Sequence, residues 1–384
     1  MKKVFLFSVL LLLGICGSQL FLWIDGEKKE VLQLIVKNIT LVCVAFIMIH
    51  EGLEFVIDKS LLRNYGWDYF VAFMVATLPW LLCSAYFFYF FEHDFATSQF
   101  YIWTNALLLG RFASPTSPGI LFSMLSAANL ETTWVYKKAR TLVVFNDLDT
   151  VILLIPIKML ISGFKWESVF LLFIITSLLY LAWKKIHSLS LPINWYFIVL
   201  YSITVTFTCE FFYFITDYAK NISPIQLEIL LPAFVLGSLL IHRFLPSRNE
   251  TKARFIIAAI FMFFVGLSMP SIEGVLNGEM EGMSLNIVFW HVLAISLLSN
   301  LGKMFPIFCY QKEASLKERI ALSLAMCPRG EMGAAVIIVS MDLVTSIDKN
   351  IVFIAMLSLL LNSILSGPFV FFIKKLLSKN ALVH

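Results

Sequence analysis

Arg111-Phe112-Ala113-Ser114-Pro115-Thr116-Ser117-Pro118-Gly119 lies inside an apolar run over residues 99–124. Two prolines and a glycine fall within its last five residues. Proline removes a backbone donor and its ring clashes with the preceding turn, so a regular helix cannot run through. The run as a whole is long enough to cross a hydrocarbon core about 30 Å thick. In that medium each freed N–H and C=O must be met by protein, water or an ion. The stretch therefore predicts a membrane helix broken at mid-depth. A second polar interruption, Cys327-Pro328-Arg329-Gly330-Glu331-Met332-Gly333, sits in the apolar run 320–341.

The rest of the chain agrees about the medium. Hydrophobic residues make up 60% of 384 and charged residues 14%. A soluble chain runs at about 45–50% and about 25%. Mean hydropathy is +0.87. About twelve candidate spans follow by length and apolarity: 4–24, 31–50, 69–91, 99–124, 141–161, 169–183, 195–216, 227–240, 255–269, 285–310, 320–341 and 351–372. The first has Lys2 and Lys3 ahead of it, as a signal peptide would, but its apolar run continues to Ile24, and it reads as a span. Loops are short, so the expectation is one all-α transmembrane unit over 1–384 with no soluble domain. The two breaks fall in spans 4 and 11. An offset of seven makes the two helices antiparallel, the pattern of an inverted repeat whose broken helices cross at the midplane. Ordinary proline kinks would explain the prolines but not the hydroxyls and charges beside them.

Orientation follows from the basic residues. With the N-terminus inside, 19 of the 29 Lys and Arg fall in the even-numbered loops and the two tails, and 5 in the odd-numbered loops. The loop with Glu273, Glu279 and Glu281 carries no base. That alternation matches the positive-inside rule, and it places both ends in the cytoplasm.

Ionisable and polar groups at membrane depth are costly, so each is a functional candidate. They are Lys37, Arg111, Asn146, Asp147, Asp149, Lys158, Glu210, Lys303, Arg329 and Glu331. Span 5 carries Phe145-Asn146-Asp147-Leu148-Asp149-Thr150. A carboxylate beside a carboxamide offers the hard oxygen ligands that a sodium-like cation takes. Asp147 also accepts a proton, and one side chain cannot hold both ions at once. Competition for it is the simplest exchange mechanism. Asp149, two residues on, faces nearly the opposite way on a helix, so the two acids do not line one small site. Lys303, deep in span 10, needs a partner, and Asp147 is the natural one; the alternative is that it reaches to the inner surface.

These segments resemble, in order, those of the monovalent cation:proton antiporter superfamily, the sodium/proton exchanger-like membrane domain. They are residues 46–55 (FIMIHEGLEF), 114–119 (SPTSPG), Asn146-Asp147, 264–267 (FVGL), Gly302-Lys303 and 328–331 (PRGE). The resemblance implies a core bundle, here from about 69–161 and 285–376, that moves against dimerisation helices from the remainder. It implies that Asp147 carries the ion with Asn146, that Thr116 and Ser117 line the first break, that Lys303 pairs with the acid, and that Arg329 and Glu331 belong to the second crossing helix. Asp149, Arg111 and Lys158 stand behind these. Two features depart from the family pattern: one span rather than two precedes the GLE segment, and the ion pair is Asn-Asp rather than Asp-Asp. The second points to one-for-one exchange, with Asp149 or Lys303 as a source of a second proton.

The expected activity is exchange of a monovalent cation, sodium first and lithium or potassium after it, for protons, with no cofactor and no resident metal. Lipid surrounds the chain, a homodimer is implied by the family, and a bacterial inner membrane is the expected location. A potassium/proton antiporter is one alternative. A sodium-coupled symporter of an organic anion is another, which Arg111, Lys158 and Arg329 would serve. An enzyme is not expected: there is no HExxH or GxSxG motif, and the six histidines are scattered. The six cysteines lie in apolar runs without a CxxC, as packing residues. No basic stripe interleaved with aromatics points to nucleic acid.

Overall fold

The computed structural model describes residues 2–20, 26–54, 62–91, 99–127, 130–153, 156–157, 173–174, 176–178, 180–181, 184–185, 188–218, 229–241, 248–268, 285–343 and 349–378. Among them the chain is helical, with no strand and a single isolated bridge between Leu189 and Leu240. The helices are α1 (Lys2–Gln19), α2 (Gly26–Glu54), α3 (Leu62–Phe91), α4 (Gln99–Gly110), α5 (Pro118–Ala127), α6 (Trp134–Ile152), α7 (Trp195–Tyr218), α8 (Leu230–Leu239), α9 (Arg248–Leu267), α10 (Leu285–Gly302), α11 (Leu316–Ala325), α12 (Glu331–Leu343) and α13 (Lys349–Ser378). Five of these are long and apolar enough to cross a membrane, over Lys28–Leu53, Gly66–Phe91, Trp195–Thr216, Asn286–Phe308 and Ile351–Leu377. Most of the expected span 169–183, and Lys158, lie outside the described residues.

Local chemistry sets the helix ends. α6 starts seven residues before the expected 141 because Thr133 caps it: its hydroxyl accepts from the Tyr136 N–H at 3.2 Å. Lys137, Lys138 and Arg140 therefore occupy the first turns of the helix that carries Asn146 and Asp147. Ser315 and Glu318 form a capping box at the start of α11. Ahead of it, Tyr310 takes a positive φ of 57°, rare for a bulky residue, in the turn that follows a short 3₁₀ segment, Phe305–Phe308.

Glycines set how closely helices approach. α1 crosses α9 where Gly14 meets Gly266, and α2 crosses α8 where Gly52 meets Gly237. A Cβ on Gly237 would run into the Ile49 carbonyl, so only glycine lets these backbones touch. Helices α1, α2, α7, α8 and α9 pack on one another as one bundle. Helices α3, α4, α6 and α10–α13 pack as a second, with α5 against α6 and α13. Contacts of α1 with α13 and of α9 with α12 join the two.

Candidate functional site

Both expected interruptions are present, and they meet. α4 ends at Gly110, a 3₁₀ turn covers Arg111–Ala113, and the chain is non-helical until Pro118 opens α5. Proline suits that first position, where its missing N–H costs nothing. α11 ends at Ala325, and α12 opens at Glu331 after a second non-helical stretch. The Ser117 N–H donates to the Pro328 carbonyl at 3.0 Å, and the Thr116 hydroxyl donates to the Met326 carbonyl at 2.9 Å. Each break thus satisfies backbone groups that the other leaves open, which is what a buried interruption requires. Two helix N-termini and two C-termini converge here, bringing partial charges of both signs to one point.

Lys303 is fully buried at the end of α10 and donates three bonds, to the Ser114 carbonyl, to Thr116 Oγ1 at 3.2 Å and to Asn146 Oδ1 at 3.3 Å. This changes the expected pairing. The ammonium bonds Asn146, and Asp147 acts on it only through space. Successive residues on a helix point about 100° apart, so only one of the pair can face the amine. α6 is anchored to the same break a turn further on. Thr150 bonds its hydroxyl to the Asn146 carbonyl at 2.8 Å and lies 3.0 Å from Ser114 Oγ.

Arg329 is also fully buried and is held by neutral acceptors. Its Nε donates to the Ala113 carbonyl at 3.1 Å. Nη1 donates to Ser299 Oγ at 3.0 Å and Asn300 Oδ1 at 3.2 Å, and Nη2 to the Ser299 carbonyl at 2.8 Å. Asn362, on α13, closes the ring by accepting from Asn300 Nδ2 at 2.7 Å. Sequence reasoning passed over Ser299, Asn300 and Asn362. Their signal was there: Ser296, Ser299 and Asn300 on one apolar helix face Ser358 and Asn362 on another, at three- and four-residue spacing.

Asp147 is 2% exposed and forms part of the wall of a narrow cleft. Pro118, Phe122 and Arg140 line its side of that cleft, and Glu51 and Phe234 the side belonging to α2 and α8. Ser117 Oγ and Asn146 Nδ2 are buried without a hydrogen-bond partner among the described residues. Asp149 is buried too, but it is not among the residues that line this cleft, as its spacing predicts; it interacts instead with Tyr69 on α3. Arg111 is fully buried in the 3₁₀ turn. Glu331 opens α12, but its side chain lies outside the described residues, as all of Lys158 does.

The arrangement gathers carboxylate, carboxamide and hydroxyl oxygens with a buried ammonium at a gap in two helices, next to an opening. Such a set can exchange a small cation for a proton. A family model described as sodium/hydrogen exchanger, transmembrane, matches residues 2–375. Comparison with curated proteins returns no match.

Proposed function

The chain belongs to the sodium/hydrogen exchanger family of transmembrane transporters, and on that premise we propose that it exchanges a monovalent cation, sodium first, for protons, with Asp147 as the group that holds either one. Its apolar helices make it a multi-pass membrane protein. The observation that supports Asp147 most is its place. It stands on the cleft wall beside Pro118, one residue from the Asn146 carboxamide that Lys303 bonds. A cation arriving at Asp147 would take oxygens from Asn146, Thr116 and Ser117 and expel the proton. A returning proton would expel the cation. Lys303 places a positive charge beside this site, so cation and ammonium compete for the same field.

The wider reading is twelve spans in an inverted repeat, both ends cytoplasmic, and a bundle of α3–α6 and α10–α13 that moves against the other helices. A homodimer in a bacterial inner membrane completes it. One observation favours a second reading. Lys303 and Arg329 are buried cations whose hydrogen bonds go to neutral acceptors, and an organic anion would suit them, as in a sodium-coupled symporter.

The test is cation-induced collapse of a preformed pH gradient in liposomes, for sodium, lithium and potassium, with wild type and Asp147→Asn. Wild type should respond to at least one cation, and the variant should lose about 10²-fold or more of that rate, as when a group that touches the reacting ion is removed. A variant as active as wild type moves the role to another acid, with Asp149 next. An inert wild type removes the antiporter reading and puts the symporter in its place.

A further inference from the structure

At one end of the α3–α6–α10 group, away from both breaks, lies a cluster that the mechanism above does not use. Lys138, in the second turn of α6, bonds both oxygens of Asp68 near the start of α3, at 3.0 and 3.2 Å. It also pairs with Glu313 at 3.3 Å. Tyr310 donates its hydroxyl to Asp68 at 2.7 Å, and its ring lies under the Lys138 ammonium at 4.5 Å. Trp134 closes the other side, edge-on to Tyr310 at 5.7 Å. Asp68 is 7% exposed and Tyr310 4%, and the Lys138 side chain is 16% exposed, so the Asp68–Lys138 pair is mostly held out of water while Glu313, half exposed, sits at its rim.

The cluster joins three pieces of chain that the ion site needs in register. Lys138 stands eight residues before Asn146 on one continuous helix, about 12 Å along its axis. Tyr310 follows Lys303 by seven residues, through the 3₁₀ segment, and its positive φ aims the ring back at α6. An exposed surface pair would be worth little. This one is two-point, mostly buried, ring-stacked and hydrogen-bonded at the carboxylate, the features that give an ion pair a fixed geometry.

We propose that Lys138, Asp68 and Tyr310 are positioning residues: a clamp that holds the Asn146–Asp147 turn of α6 at the Lys303 ammonium. Through it they set the affinity of the site for its cation. The inference rests on the proposed exchange function. All three residues lie in one bundle, so the clamp keeps that bundle rigid without resisting its movement against the other.

The experiment measures half-saturating cation concentration, maximal exchange rate and melting temperature for wild type, Lys138→Met, Tyr310→Phe and Lys138→Arg in the full chain. Loosening the clamp by about 1–2 kcal/mol corresponds to a factor of roughly 5–30. Lys138→Met should raise half-saturation by that factor. Tyr310→Phe keeps the ring and loses one bond, and it should raise half-saturation less. Lys138→Arg keeps the charge, and its guanidinium fork can still bond both oxygens of Asp68, so it should raise half-saturation less than Lys138→Met does. A Lys138→Met protein that melts lower but keeps wild-type half-saturation makes the cluster structural only and overturns the proposal. Wild type inert to every cation overturns the exchange function and this clamp with it, an outcome distinct from an active wild type whose variants do not shift.

Discussion

Lys303 and Arg329 show two ways of keeping a cation out of water. Lys303 spends its three donors on a carbonyl, a hydroxyl and a carboxamide, and keeps Asp147 near without bonding it. Arg329 uses its planar fork to reach four acceptors on two segments of chain. A lysine there has three donors on a flexible stem and cannot match that fork. Arg329→Lys should therefore leave at least one buried acceptor open, at about 1–3 kcal/mol each. The expected result is a lower melting temperature in detergent. An unchanged melting temperature would mean that the ring through Ser299, Asn300 and Asn362 does not depend on the guanidinium.

The helices that matter most here are short ones. α5 and α12 run for 10 and 13 residues, and their partners α4 and α11 for 12 and 10. None of them alone has the length for a 30 Å core at 1.5 Å per residue, and in pairs they do. The breaks are stable because they bond each other, so neither would survive alone in lipid. Close helix crossings depend on glycine in the same specific way. Gly237→Val should force α8 off Ile49 and cost about 1–3 kcal/mol. Gly66→Ala, in α3 with no neighbouring atom of the described residues within 4 Å of the added Cβ, should be neutral or stabilising by up to about 1 kcal/mol. Thermal unfolding of the two variants checks the pair. Equal behaviour would show that the α2–α8 crossing has slack the structure does not display.

Among the described residues, the ion pairs Asp68–Lys138–Glu313 and Glu51–Arg254 each stay within one bundle. Between the bundles lies the cleft with Asp147 on one wall and Phe234 on the other. Transport by sliding of one bundle on the other would need that boundary to open and shift. A disulfide or short cross-link between Phe122→Cys and Phe234→Cys, in a background without the exposed Cys16, should stop exchange and release it on reduction. Exchange that continues at the wild-type rate with the link in place would exclude relative movement of these two walls.

Hydropathy and proline chemistry were enough to place the medium, both breaks and the Asn146–Asp147 turn, because burial in lipid penalises each polar residue strongly enough to mark it in one dimension. Spacing alone also separated Asp149 from Asp147, since helical geometry is local. The partners were not legible. That Lys303 bonds Asn146, that Arg329 closes on Asn300, that Asn300 in turn bonds Asn362, and that Tyr310 swings back to Asp68 depend on contacts across 157, 29, 62 and 242 residues of chain. Such contacts are chosen by which helices pack side by side. That choice rests on glycine crossings and shape, which leave no periodic trace in the sequence. The amino-acid order by itself determined a membrane protein with two broken helices and singled out a carboxylate as the candidate ion site. Only the tertiary structure decided which groups share that carboxylate's surroundings, because hydrogen bonds are short and the chain brings their ends together only once it has packed.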